Sequence, residues 1–307
     1  MKKLTFLIVI ALIANTVHSQ FDFKAYYANI NNAIVAHNKA DYKECLEYLS
    51  KNDGNYFFEE DIAFFNGACD SLLKSGGLLD KKILNIKKHL KPQNVLPTFL
   101  KTKNKAVDFG LYDEIIKQTK GQLLVNDGYL LGIVQLDRYL SDVRVGTSED
   151  EFPESSIKSL YRLAAINTLN IFREIKDLPN RFESNIWNDN LSLAISHNVK
   201  SLKKEEQEEL LGYLWENTKK GNIYLYQYAV FYDIYFQENN TDKSLMNYYG
   251  TACSPIIISY DPLKINQKAN EIYDLDNIDK RRHSIGLCSL LDWYNFKKIE
   301  YDFNLNR

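Results

Sequence analysis

Proline and glycine are scarce in this chain. Six prolines and 13 glycines among 307 residues are roughly half the usual shares of about 5% and 7%, which excludes collagen-like and Pro/Gly-rich low-complexity architectures. Cysteine is sparse too: Cys45, Cys69, Cys253 and Cys288 form no Cys-x-x-Cys pair, so zinc-finger and thioredoxin-type chemistry have no support. No charge sign dominates, since 38 Lys+Arg face 40 Asp+Glu for a formal −2, and that balance argues against a nucleic-acid partner. After the first twenty residues no apolar run approaches 18 residues, so no integral membrane segment is expected beyond them. Metal-ligand spacing is absent as well. His37, His89, His197 and His283 lie far apart, and Asp274, Asp276 and Asp279 lack the Gly and terminal Glu of a calcium loop. There is no phosphate-cradling Gly-rich loop and no Gly-x-Ser-x-Gly elbow. Neither a metal nor a cofactor is expected.

Aromatic residues are abundant, with 21 Tyr and 16 Phe, and 45% of residues are apolar against 25% charged. This is the balance of a globular protein with enough length for two modest cores. The N-terminus reads as an address. Met1-Lys2-Lys3 is basic, Leu4 to Ala14 is apolar apart from Thr5, and Val17 and Ser19 occupy the −3 and −1 sites of a cut. That is the pattern of a signal peptide over 1–19, too short to span a bilayer of about 30 Å. Cleavage there takes the formal charge from −2 to −4, and the expected destination is periplasmic or extracellular. An even cysteine count in an exported chain permits disulfides, Cys45–Cys69 and Cys253–Cys288 being the pairings local in sequence. Four buried thiols are the other reading, and both stay open.

Apolar residues recur at helical spacing almost throughout. Tyr26, Tyr27, Ile30, Ala33, Ile34 and His37 form one stripe; Tyr42, Cys45, Leu46 and Leu49 form a second, behind an N-cap at Asp41. Ile62, Phe65, Ala68, Cys69, Leu72 and Leu73 form a third, closed by Gly76-Gly77, and Lys81 to His89 is a fourth helix. Further helices are expected at 111–120, 129–143, 157–175, 190–199, 203–219, 223–237, 279–285 and 290–298, with an acidic loop at 147–153. Tyr248 to Ile265 carries Gly, two Pro and a β-branched run, and reads as irregular with room for a short hairpin. The expected fold class is mainly α. The helix holding Tyr224, Tyr226, Tyr228, Phe231, Tyr232, Tyr235 and Phe236 is aromatic on almost every face. It suits either packing between two parts of the chain or an aromatic groove for a glycan or peptide.

Two resemblances follow from these residues. Asn38 to Leu49 resembles the second helix of a tetratricopeptide repeat, and Phe64-Phe65-Asn66-Gly67-Ala68-Cys69 resembles the first helix of the next. The likeness covers about 23 to 92 and implies a tetratricopeptide-like region over 20–100. Farther on, Ser196-His197, Gly221-Asn222-Ile223, Tyr228 to Asp233, Tyr249-Gly250-Thr251, Ile278 to Arg282 and Ile285-Gly286-Leu287 occur in fixed order. Together they resemble an uncharacterised family of bacterial proteins, often exported, across about 125 to 296, which implies a helical domain over 101–307. That family has no established activity. The chain departs from its pattern at Arg138, Ser141, Ile234 and Ala252, where relatives carry Gln, Arg, Arg and Gln.

The candidate site residues are His197, Asp233 and Asp137 for catalysis, with Arg281, Arg282, Tyr249, Tyr228 and Tyr232 for binding. A His beside a carboxylate is the make-up of a general base, and paired arginines suit a carboxylate or phosphate. The same residues also suit a buried network locking the last loop onto the helices. The leading expectation is a non-catalytic binding or scaffolding protein of the cell envelope with a protein or peptide partner. The alternative is a hydrolase using His197 with Asp233 or Asp137 and an Arg281/Arg282 anchor.

Overall fold

Three helices begin by the same device, an aspartate whose carboxylate accepts a backbone N–H three residues on. Asp22 accepts from Ala25 at 3.0 Å, Asp41 from Glu44 at 3.0 Å and Asp80 from Ile83 at 2.8 Å, each satisfying a donor that the first helical turn leaves open. A computed structural model describes residues 21–52, 58–90, 133–134, 136–141, 154–178, 189–240, 246–251 and 271–299. It is mainly α. The helices are α1 (Phe23–Asn38), α2 (Tyr42–Leu49), α3 (Glu59–Lys74), α4 (Lys81–His89), α5 (Glu154–Ile175), α6 (Asp189–Ser201), α7 (Lys204–Lys219), α8 (Leu225–Asn239), α9 (Ile278–Ile285) and α10 (Leu290–Lys297). A helical stretch over 136–141 lies inside the helix expected at 129–143. The signal peptide over 1–19, the helix at 111–120, the acidic loop at 147–153, Cys253 and all six prolines lie outside the described residues. So does most of the hairpin-prone segment 248–265. The described strand pairing flanks it and is parallel, Met246–Asn247 against Glu271–Ile272.

The apolar stripes are buried in two cores. The first joins α1, α2, α3 and α4 to residues far along the chain, among them Tyr224, Tyr226, Leu287, Leu290, Trp293 and Tyr294. The second gathers α5, α6, α7 and the other side of α8, with Ile133 and Val134. α8 belongs to both: Tyr224 and Tyr226 face the first, Tyr228 and Phe231 the second. The aromatic helix therefore packs between two parts of the chain. On its first side Tyr226 stacks on Trp293 with ring centroids 3.9 Å apart.

Polar contacts inside the first core fix its register. Asp61, 1% exposed, accepts hydrogen bonds from Tyr26 Oη at 2.5 Å and Tyr224 Oη at 3.1 Å. The Leu225 N–H donates to Tyr27 Oη at 2.8 Å. α10 lies on α1, and two asparagines of α1 hold its approach: Asn31 donates to the Gly286 carbonyl at 2.8 Å and Asn38 to the Asp292 carbonyl at 2.9 Å. Cys45, Cys69 and Cys288 are buried free thiols, so the described cysteines follow the buried-thiol reading. Burial pushes the Cys45 thiol up to about 12, with Cys69 and Asp41 adding to the effect.

Burial also holds the hydroxyls of Tyr26, Tyr224, Tyr226, Tyr228 and Tyr249 above the ordinary tyrosine range. In the unfolded chain they ionise near pH 10. Their contribution to stability is complete below that pH and is lost as pH rises from there towards the folded values. Alkaline titration followed at 295 nm is expected to show these phenols ionising together with loss of helical circular dichroism, above about pH 10, rather than one by one beforehand.

Candidate functional site

The candidate residues fall into two groups. The first surrounds the turn Tyr249-Gly250-Thr251. Asp233, on α8 and 0% exposed, accepts the Tyr249 N–H at 2.5 Å, the Thr251 N–H at 2.8 Å and the Thr251 hydroxyl at 2.7 Å. Arg282, on α9 and also 0% exposed, donates from Nη1 to the Tyr249 carbonyl at 2.6 Å and from Nε to the Cys288 carbonyl at 2.7 Å. The acid and the base thus take the two backbone polar groups of a single residue, Tyr249. Arg281 holds the same turn one residue earlier. Its Nε donates to the Tyr248 carbonyl at 3.1 Å, its other nitrogens reach the Tyr273 carbonyl and Asp274, and its guanidinium lies over the Tyr248 and Tyr273 rings at 4.8 and 5.4 Å.

Gly250 completes the clamp. Its φ is +70°, and a Cβ there would sit 2.6 Å from Leu290 Cδ1 and 3.0 Å from Ile272 Cδ1, so a side chain is excluded both by conformation and by space. Tyr232 packs its ring on Tyr248 and Tyr249 at 5.0 and 5.2 Å. Tyr228, 7% exposed, packs on Trp215 at 5.0 Å. None of the Arg282 surface faces solvent, and the donors of Arg281 go to the chain itself. The second group is a different kind of place.

There His197 Nδ1 lies 2.7 Å from Asp137 Oδ1, with side-chain exposures of 32% and 10%. His197 comes from α6 and Asp137 from the 136–141 stretch, whose Leu136 and Leu140 are buried. With Nδ1–H donated to Asp137, Nε2 is the basic nitrogen, and it makes no hydrogen bond to a described residue. Tyr161 of α5 sets its ring edge-on to the imidazole at 6.1 Å, and its hydroxyl is 3.2 Å from Ser141 Oγ, one turn beyond Asp137. An open groove of about 680 Å³ is lined by Tyr161 together with Lys158, Arg162, Lys200 and Ser201 among others, and His197 and Asp137 are not part of that lining. Lys200 and Ser201 follow His197 by three and four residues, so they share its helix face. Arg162 is turned to Glu206 and the Ser201 carbonyl and Lys158 pairs with Glu154 on the surface, which leaves Lys200 as the unpaired cation among the described lining residues.

His197 therefore meets Asp137, while Asp233 serves the turn. Sequence reasoning passed over Tyr161 and Lys200, which carry no spacing signal. It also passed over Asp61, whose signal was present: Phe58, Asp61, Phe65, Ala68 and Leu72 run at helical spacing, so the carboxylate stands on the apolar stripe. Among the described residues, no three His, Cys, Asp or Glu side chains could hold a metal ion, and no helix is long and apolar enough to cross a membrane.

Truncating Arg282 to Ala or Asp233 to Ala is expected to lower stability by about 1–3 kcal/mol for each buried polar group left without a partner. The double variant should fall short of the sum, since both act on Tyr249. His197→Ala, at a partly exposed pair, should cost no more than about 1 kcal/mol. Urea unfolding followed by circular dichroism measures all four. No protein-family model, curated protein or solved structure matches this chain.

Proposed function

We propose that the protein is exported and acts as a non-catalytic binding or scaffolding protein of the cell envelope, its N-terminal hairpins being of tetratricopeptide-like type. The observation that supports this most is the fate of the arginine pair. A surface anchor for an anionic substrate has to offer guanidinium N–H groups to solvent. Arg282 is fully buried, and it and Arg281 donate to backbone carbonyls of the chain. Polar groups used in this way make a rigid loop base, which is what a binding scaffold requires. The leader-like 1–19 segment supports export, and the resemblance to the uncharacterised family brings no activity with it.

A second reading, a hydrolase, is favoured by one contact, His197 Nδ1 to Asp137 Oδ1 at 2.7 Å. In that chemistry His197 Nε2 takes a proton from a water as the water oxygen attacks an acyl or phosphoryl centre. The same proton then goes to the leaving oxygen. Lys200 would take the anchoring role that Arg281 and Arg282 do not fill.

A thermal-shift screen against envelope glycans, peptides and metals, run beside an ester and phosphoester turnover panel, separates the two. The binding reading expects a ligand that raises the melting temperature of the wild type, with no turnover. Turnover that falls by about 100-fold or more in His197→Ala, the range of one lost general base, with the fold retained, replaces it with the hydrolase.

A further inference from the structure

The formal charge of −2 is distributed unevenly. Residues 74–90 hold five lysines against one aspartate, a local +4, so the rest of the chain carries −6. This segment is the end of α3, its tight connection and all of α4. Two of its lysines are tied down: Lys82 donates to Ser50 Oγ at 3.1 Å and Lys87 pairs with Asp70 at 3.5 Å. Lys74, Lys81 and Lys88 are exposed and make no hydrogen bond or ion pair with a described residue.

Leucines are exposed beside and between them. Leu73 is 48% exposed, Leu78 88% and Leu84 51%. On α4, Ile83 is buried while Lys81, Leu84 and Lys88 stand three and four residues apart on the opposite, exposed face. Leu78 is the most exposed large apolar residue described, and it sits in the connection between the helices. It follows Gly76, where φ of +83° turns the chain.

We propose that the α3–α4 tip is a peripheral docking surface for an anionic lipid membrane. The ammonium groups of Lys74, Lys81 and Lys88 meet lipid phosphates, and Leu73, Leu78 and Leu84 enter the boundary between headgroups and acyl chains. Cations interleaved with exposed aliphatic side chains suit that interface, where long-range attraction and apolar burial act together. A nucleic acid would give the leucines no apolar phase, and the segment has no Arg, Tyr, Phe or Trp to read or stack on bases. The inference is independent of whether His197 binds or catalyses.

The test is co-sedimentation of the full chain with vesicles of phosphatidylglycerol and phosphatidylcholine (1:1), against vesicles of phosphatidylcholine alone. The leader is basic as well as apolar and adds its own preference for anionic lipid, but it is common to all variants, so the difference between wild type and variant isolates the tip. The expected result is binding to the anionic vesicles that weakens with added salt. It should fall about 100-fold when Lys74, Lys81 and Lys88 are all changed to Gln. Changing Leu73, Leu78 and Leu84 to Ser should also weaken it, with circular dichroism unchanged in both triple variants. Equal retention of the wild type and the lysine variant overturns the proposal, as does no preference for anionic vesicles. Binding lost with the lysines but indifferent to the leucines, and matched on duplex DNA, overturns it in favour of a general polyanion patch. Self-association in the absence of vesicles that the leucine variant abolishes overturns it in favour of a contact between copies.

Discussion

A helix with apolar residues on nearly every face has to be covered on more than one side, and α8 is such a helix. Leu225, Tyr226, Tyr228, Ala229, Phe231 and Ile234 are all buried, and so is Asp233. No single layer of helices covers a cylinder all round, so the fold supplies two: the N-terminal hairpins with α10 on one side, and α5, α6 and α7 on the other. The tyrosines suit this because each buries a ring and still presents a hydroxyl. Those of Tyr224 and Tyr226 find Asp61 and Cys288 in the first core.

Asp233 is the exception that gives α8 a second task. A carboxylate on a buried helix face needs strong donors, and the two N–H groups and the hydroxyl of the Tyr249–Thr251 turn supply them. Arg282 approaches the turn from α9 with the opposite charge and donates to the Tyr249 carbonyl of the turn and to the Cys288 carbonyl beyond it, while its Nη2 is buried without a partner among the described residues. His197 and Asp137 sit outside this economy. Their contact is partly open to solvent, and among the described residues neither side chain shares a hydrogen bond with the clamp.

Most helices were legible because each carries its own local signal. The Asp41 cap, the Gly76-Gly77 stop and the apolar stripe of α4 gave the bounds of three helices to within a few residues. The place of the aromatic helix was left between two readings, since periodicity shows that a face is buried but not what buries it. The candidate site was legible as residue types and not as pairings. Nothing in the spacing of Asp137, Asp233 and His197 says which carboxylate the imidazole meets. Nor does it say that adjacent Arg281 and Arg282 reach their carbonyls from different exposures, one side chain 11% open and the other sealed. Those outcomes depend on helix packing across long stretches of chain.

The docking of α10 on α1 has a consequence for how the chain reaches its fold. Asn31 and Asn38 bond to carbonyls 255 and 254 residues away, and Leu290, Trp293 and Tyr294 fill the same core as Ile30 and Ile34. Contacts of such separation are slow to form. α1 to α4 leave the ribosome well before α10 and cannot complete their core until it has emerged, so until then these hairpins remain a partial structure awaiting closure.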